Sequence, residues 1–165
     1  MTARASVGAE RSTMGELRRA GGDRRLRLAA IVLALAGLGV ATYLTYIHYK
    51  GINPACGLGA NCIKVQTSEW SKLAGVPVAV LGLIGYVLIL VSLFVPGEAG
   101  LMMGALTALI GFGFSAYLTY RELFSIHAIC EWCVTSAVLM TLLAVITTVR
   151  LLRVTDDRGA IPYVG

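Results

Sequence analysis

Charge is what this sequence has least of: Asp, Glu, Lys and Arg together make up 14% of its 165 residues, where a water-soluble domain keeps roughly a quarter. A chain so poor in polar side chains cannot cover itself against water. Its 57% hydrophobic content and mean hydropathy of +0.77 point to lipid as the solvent. No nucleotide or flavin fingerprint is present, and Val134 after Cys133 rules out the C-x-x-C-H run of haem attachment. No aromatics interleave with the arginines, which sets nucleic acid aside despite a formal charge of +5.

The basic residues sit at the two ends. Arg4, Arg11, Arg18, Arg19, Arg24, Arg25 and Arg27 lie at or before the start of the first apolar run, and Arg150, Arg153 and Arg158 close the last. By the positive-inside rule both termini are cytoplasmic. Residues 1–25 are polar and lack apolar periodicity, so they read as a disordered cytoplasmic tail, with a second tail at 153–165. The run that follows the first tail is too long for the h-region of a cleaved signal, about 7–15 residues.

Four apolar runs make up the 26–152 domain: Leu26–Tyr49, Val76–Val95, Leu101–Tyr120 and Cys130–Leu152. Each is about 20 residues or longer, enough at ~1.5 Å per residue to cross a hydrocarbon core of ~30 Å. Only helices satisfy the backbone there without a closed barrel. The expected fold is therefore an all-α membrane protein, a four-transmembrane-helix bundle. The Pro96-Gly97-Glu98-Ala99-Gly100 turn makes the middle two helices an antiparallel hairpin, and small residues at Ala36/Gly37/Gly39, Gly82/Gly85 and Gly104/Gly111/Gly113 allow close helix approach.

This topology places loop 50–75 and the 121–129 connection outside the cell membrane. The loop is expected to carry a short helix in the amphipathic stretch Thr67–Leu73. Tyr43, Tyr46, Tyr49, Trp70, Tyr117, Tyr120 and Trp132 gather at the same outer level, as interfacial aromatics do, with Arg121 and Glu122 read as interface anchors. Tyr43-Leu44-Thr45-Tyr46 recurs as Tyr117-Leu118-Thr119-Tyr120, each copy ten residues before a cysteine, an echo consistent with duplication or chance.

All four cysteines fall at that outer level: Cys56 and Cys62 in the loop, Cys130 and Cys133 opening the fourth run. In an oxidising compartment such thiols pair or exchange. A C-x-x-C at a helix N-terminus favours a thiolate through the helix dipole and free amides, and its i, i+3 spacing puts both sulfurs on one face. Exchange needs a second dithiol within reach, and the loop pair supplies one. The competing readings are a purely structural loop disulfide and a four-cysteine zinc site, the latter with spacing unlike zinc knuckles. The redox reading expects no metal and no flavin, so a lipid-soluble quinone is the natural electron acceptor. His127 and Glu131, which flank the motif, are candidates for moving protons or tuning Cys130 and are otherwise solvated side chains.

Over residues 26–152 this order of features resembles the vitamin K epoxide reductase family: span, loop with two spaced cysteines, a serine soon after (Cys62…Ser68-Glu69-Trp70), two spans, then C-x-x-C. The DsbB family, also a quinone-linked four-helix bundle, has the two cysteine motifs in the opposite order. The resemblance implies that Cys133 lies beside the quinone, Cys130 exchanges with Cys62, and Cys56 meets an external redox partner. Ser68 matches a loop Ser/Thr that helps organise the active site; its other reading is an N-cap for the loop helix.

Two departures bear on the substrate. Val78 and Ala137 stand where vertebrate members carry an Asn and a Tyr that contact the quinone, which favours quinone over epoxide as the acceptor. Leu81, Phe112, Phe114, Val78 and Ala137 are the expected quinone-pocket walls beside Cys133. With no fused thioredoxin-like domain in the sequence, the expected partner is a separate thioredoxin-fold, DsbA-like protein. The resulting expectation is a bacterial-type thiol:quinone oxidoreductase with menaquinone as acceptor. The alternatives are a vitamin K epoxide/quinone reductase and a non-enzymatic membrane scaffold stapled by a disulfide.

Overall fold

The computed structural model describes residues 2–56, 62–67, 71–73 and 75–159. Five helices account for most of them: α1 (Thr2–Lys50), α2 (Cys62–Gln66), α3 (Val78–Ser92), α4 (Glu98–Arg121) and α5 (Glu131–Gly159). A five-residue π-helical stretch, Glu122–Ile126, continues α4. The protein is thus an all-α membrane protein. Gly21–Lys50, Glu98–Ser125 and Glu131–Asp156 are each long and apolar enough to cross a bilayer.

The second apolar run departs from its expected length. Helix α3 covers 15 residues, about 22 Å at 1.5 Å per residue, against a hydrocarbon core of about 30 Å. It is shortened at its start because Val76–Pro77 pair as a strand (β2) with Lys72–Leu73 (β1), antiparallel, Leu73 facing Val76 and Lys72 facing Pro77. Proline holds the residue before it in extended geometry, and Gly75, at φ 85°, supplies the left-handed corner between the strands. The loop helix consequently lies earlier than expected. It is α2, which opens at Cys62, whereas Lys72–Leu73 are extended; Ser68, Glu69 and Trp70 lie outside the described residues.

Both expected tails are helical where they are described. Helix α1 runs back to Thr2, and α5 continues past Leu152 to Gly159. The first 25 residues are rich in Ala and Arg, strong helix formers that leave no apolar periodicity to read. The two long helices are tied at this end by a forked pair, Arg150 Nε donating to Asp23 Oδ1 (2.8 Å) and Nη2 to Oδ2 (3.3 Å).

Helix α1 packs on α3 and α5, and α4 on α3 and α5, so the bundle closes in the cyclic order α1–α3–α4–α5. The buried stripe of α1 is Ala30, Ala34, Gly37, Ala41, Leu44 and Ile47, spaced three or four residues apart along one helical face. Against it lie Tyr86 and Ile89 of α3, with Met140, Leu143 and Ala144 of α5 completing the core. Gly37 is where the narrow stripe matters most, since the Tyr86 ring occupies the space a Cβ there would take. Gly104 and Gly111 similarly face Ser92 and Met140, while Gly39, Gly82 and Gly113 look onto open space. The tyrosine hydroxyl donates to the Ser136 carbonyl oxygen (2.9 Å) and lies 2.9 Å from Ser136 Oγ, one turn beyond Cys133 on α5.

Candidate functional site

One end of the helix bundle brings all four cysteines into one small cluster. Cys62, Val65, Ala128 and Cys130 are buried together, with Cys56, Trp132 and Cys133 packed against them. Cys56 and Cys62 are joined by a disulfide, with Cα atoms 6.3 Å apart. Cys130 and Cys133 carry thiols and form no disulfide, the first fully buried and the second half-buried.

Cys130 stands at the N-cap position of α5, its carbonyl accepting the first helical bond from Val134 N–H (3.0 Å). The unpaired amides and positive dipole end of the helix therefore surround the motif. The Cys133 thiol hydrogen-bonds the Cys130 sulfur and holds Cys130 below the ordinary thiol pKa; burial opposes this without cancelling it. Cys130 is consequently the sulfur of the pair suited to exist as a thiolate, which is the exchanging species in disulfide chemistry.

The loop is held against the motif by its main chain. Ala55 N–H donates to the Tyr43 hydroxyl oxygen (3.1 Å), and the Ala55 carbonyl accepts from Trp132 Nε1–H (2.8 Å). The two aromatic rings also pack on each other, with centroids 5.0 Å apart. Residue 55 is thus clamped between α1 and α5 one position before Cys56. Replacing Trp132 with Phe keeps a ring against Tyr43 but removes the donor. About 1 kcal/mol of docking energy should go with it, so amide exchange in residues 52–56 should quicken roughly five-fold. Deuterium-exchange mass spectrometry reads this directly, and an unchanged rate would show that the clamp is idle.

Below the cysteines lies a cavity of about 470 Å³, open between the helices. Cys133 is on its wall, together with Val78, Leu81, Phe114 and Ala137, four of the five apolar residues expected there. Phe112 is the exception. It is 41% exposed and not among the lining residues, because two positions along a helix turn a side chain by about 200° and Phe114 takes the inward face. Sequence reasoning did not single out His48 and Ser136, which also line the cavity. Their polar groups are spaced along helices read only as spans.

Glu122 was misplaced by sequence reasoning as an interface anchor. It is 5% exposed and lines the same cavity. Its Oε2 accepts the Cys130 amide (3.2 Å), and its carbonyl accepts the Ala128 amide (3.2 Å). The turn that makes this possible runs through His127, whose left-handed backbone (φ 51°) folds residues 128–130 back over Glu122. The ring of His127 is exposed, its Nδ1 lying 3.2 Å from the Leu123 carbonyl. Glu131, the first residue of α5, is exposed. A carboxylate oxygen of Glu131 and the sulfurs of Cys56 and Cys62 lie within 4.8 Å of one another, but the disulfide occupies both sulfurs of that trio. Ser68, the remaining expected site residue, lies outside the described residues.

The arrangement sets a disulfide against a dithiol and the dithiol against an apolar cavity. It can pass an electron pair from one sulfur pair to the other, and from there to a flat apolar acceptor. Comparison with protein-family models finds a match over residues 28–148 to the one described as the Vitamin K epoxide reductase family.

Proposed function

Because the chain belongs to the vitamin K epoxide reductase family, whose members are oxidoreductases that generally use quinones and thiol partners, we propose that it is a thiol:quinone oxidoreductase driving disulfide formation outside the cell membrane. The observation that carries this reading is the contact of the Cys56–Cys62 disulfide with the Cys130/Cys133 dithiol, at the mouth of a cavity that Cys133 lines.

The electron path follows from that contact. A reduced thioredoxin-fold, DsbA-like partner attacks Cys56 and is released oxidised, leaving Cys56 and Cys62 as thiols. The Cys62 thiolate attacks the Cys130–Cys133 disulfide at Cys130, and resolution by Cys56 restores the outer disulfide and leaves both inner thiols. The pattern in the structure, outer pair oxidised and inner pair reduced, is the state that precedes delivery of the electron pair. In that delivery Cys130 and Cys133 become a disulfide and the quinone becomes a quinol. Helix α3 completes a four-span bundle with both termini cytoplasmic, and Ser68 helps organise the loop above the motif.

Menaquinone is the proposed acceptor. Val78 and Ala137 give their part of the wall no hydrogen-bond donor for a quinone or epoxide oxygen, which favours quinone reduction over epoxide opening. The test is to mix the purified protein, pre-reduced and in lipid nanodiscs, with menaquinone. Stoichiometric quinol and a Cys130–Cys133 disulfide mapped by mass spectrometry are expected. If the dithiol stays reduced and no quinol forms, the proposal is wrong.

A further inference from the structure

The mechanism above leaves one buried acid without a task. Glu122 sits at the junction of α4 and the π-helical stretch, 5% exposed. Its partners are the Cys130 amide, 3.2 Å from Oε2, and the Cys133 thiol, which hydrogen-bonds the carboxylate. Arg121, next to it in sequence, turns to Tyr117 Oη and Ser125 Oγ (3.2 Å each). A carboxylate is costly to bury, and a bracing hydrogen bond to a single amide is a task a neutral side chain performs as well. This carboxylate instead touches the sulfur that gives up the electrons and lines the cavity into which they go.

Oxidising a dithiol with a quinone breaks two S–H bonds, makes one S–S bond, and gives the quinone an electron pair and two protons. We propose that Glu122 is the proton carrier of this step: its carboxylate takes the proton of Cys133 Sγ as that sulfur becomes the electron donor, and returns it to the quinone oxygen in the shared cavity. The other proton is that of the Cys130 thiol, which passes to water at the outer face and is replaced by one the reduced quinone takes from water. The assignment rests on the thiol:quinone reading of the site and adds to it the group that handles the proton. Glu122 is then a catalytic residue, in contact with a reacting atom.

The substitution Glu122→Gln separates proton transfer from bracing, because the amide oxygen still accepts the Cys130 N–H but cannot take a proton. Two rates are measured on pre-reduced protein in nanodiscs and on its oxidised counterpart. The first is single-turnover menaquinol formation. The second is dithiothreitol-driven reduction of Cys130–Cys133 through the outer pair, without quinone. The variant is expected to form quinol on the order of a hundred-fold more slowly, the usual range for losing a general acid–base, with the exchange rate unchanged. A variant that forms quinol at the wild-type rate overturns the proposal and leaves Glu122 a brace. Equal slowing of both rates also overturns it, by making the effect one of motif geometry. A wild-type protein that forms no quinol overturns the reading of the site and this assignment with it.

Discussion

Replacing Cys133 with Ala is expected to abolish quinol formation, by at least about a thousand-fold, as removal of an essential nucleophile does elsewhere. The same variant should accumulate a disulfide between Cys62 and Cys130. Both outcomes follow from one arrangement. Cys130 is buried with Cys62 in the cluster at the head of α5, whereas Cys133 reaches the cavity. In the proposed relay Cys133 is the leaving group when Cys62 attacks Cys130, and the resolving thiol when the step reverses. Without it, a bond between Cys62 and Cys130 has no internal thiol on the α5 side to release it. Non-reducing peptide mapping after mild oxidation measures the trapped bond, and quinol absorbance measures the rate. If Cys133→Ala reduced menaquinone at the normal rate, the electron path through Cys133 would be wrong.

The second large effect is on stability and lies far from the sulfurs. Gly37→Ala adds a single methyl group, but the Tyr86 ring fills that position. The ring cannot simply turn away. Tyr86 is fully buried, and its hydroxyl is engaged by Ser136. Overpacking a well-filled core costs about 1–3 kcal/mol, and losing the hydroxyl's hydrogen bond adds about 1 kcal/mol. For a chain of this size that corresponds to a fall of about 5–10 °C in melting temperature. Gly39→Ala, on the same helix with nothing within 4 Å of the added carbon, is the control and should be neutral or slightly stabilising. Equal melting temperatures for the two variants would mean that α1 and α3 are not held this close. Ser136 also lines the cavity, so Gly37→Ala is expected to weaken quinone binding as well, read as a raised KM.

What the sequence showed and what it hid divide along physical lines. Apolar runs, the proline and glycine turns and the two cysteine pairs are local patterns, and they led to a helical membrane protein with a sulfur cluster at one end. The order of the cysteine pairs along the chain carried the family. Contacts made by chain reversal were not legible. Glu122 follows Arg121 at the end of an apolar run, a position at which a carboxylate is ordinarily solvated. It is buried because the π-helical stretch and the left-handed His127 fold the next residues over it. Tyr43 and Trp132 read as interfacial aromatics because nothing near them in sequence shows that they meet at Ala55. The side on which Phe112 and Phe114 fall depends on helix rotation, which a uniformly apolar run does not specify. The length of α3 was overestimated for a related reason, since Val76 and Pro77 are as apolar as a span requires but belong to a hairpin.

The clamp on Ala55 has a consequence for how such a protein diversifies. Tyr43 and Trp132 grip an amide and a carbonyl, groups that every residue except proline offers. The side chain at position 55 therefore plays no part in keeping Cys56 in place, and the hold tolerates almost any residue there. A loop fastened by its main chain can have its surface rewritten to suit a new thiol donor while the wiring beneath it stays as it is. Chimaeras that exchange residues 52–55 between relatives should accordingly change which donor is served without changing how fast the quinone is reduced.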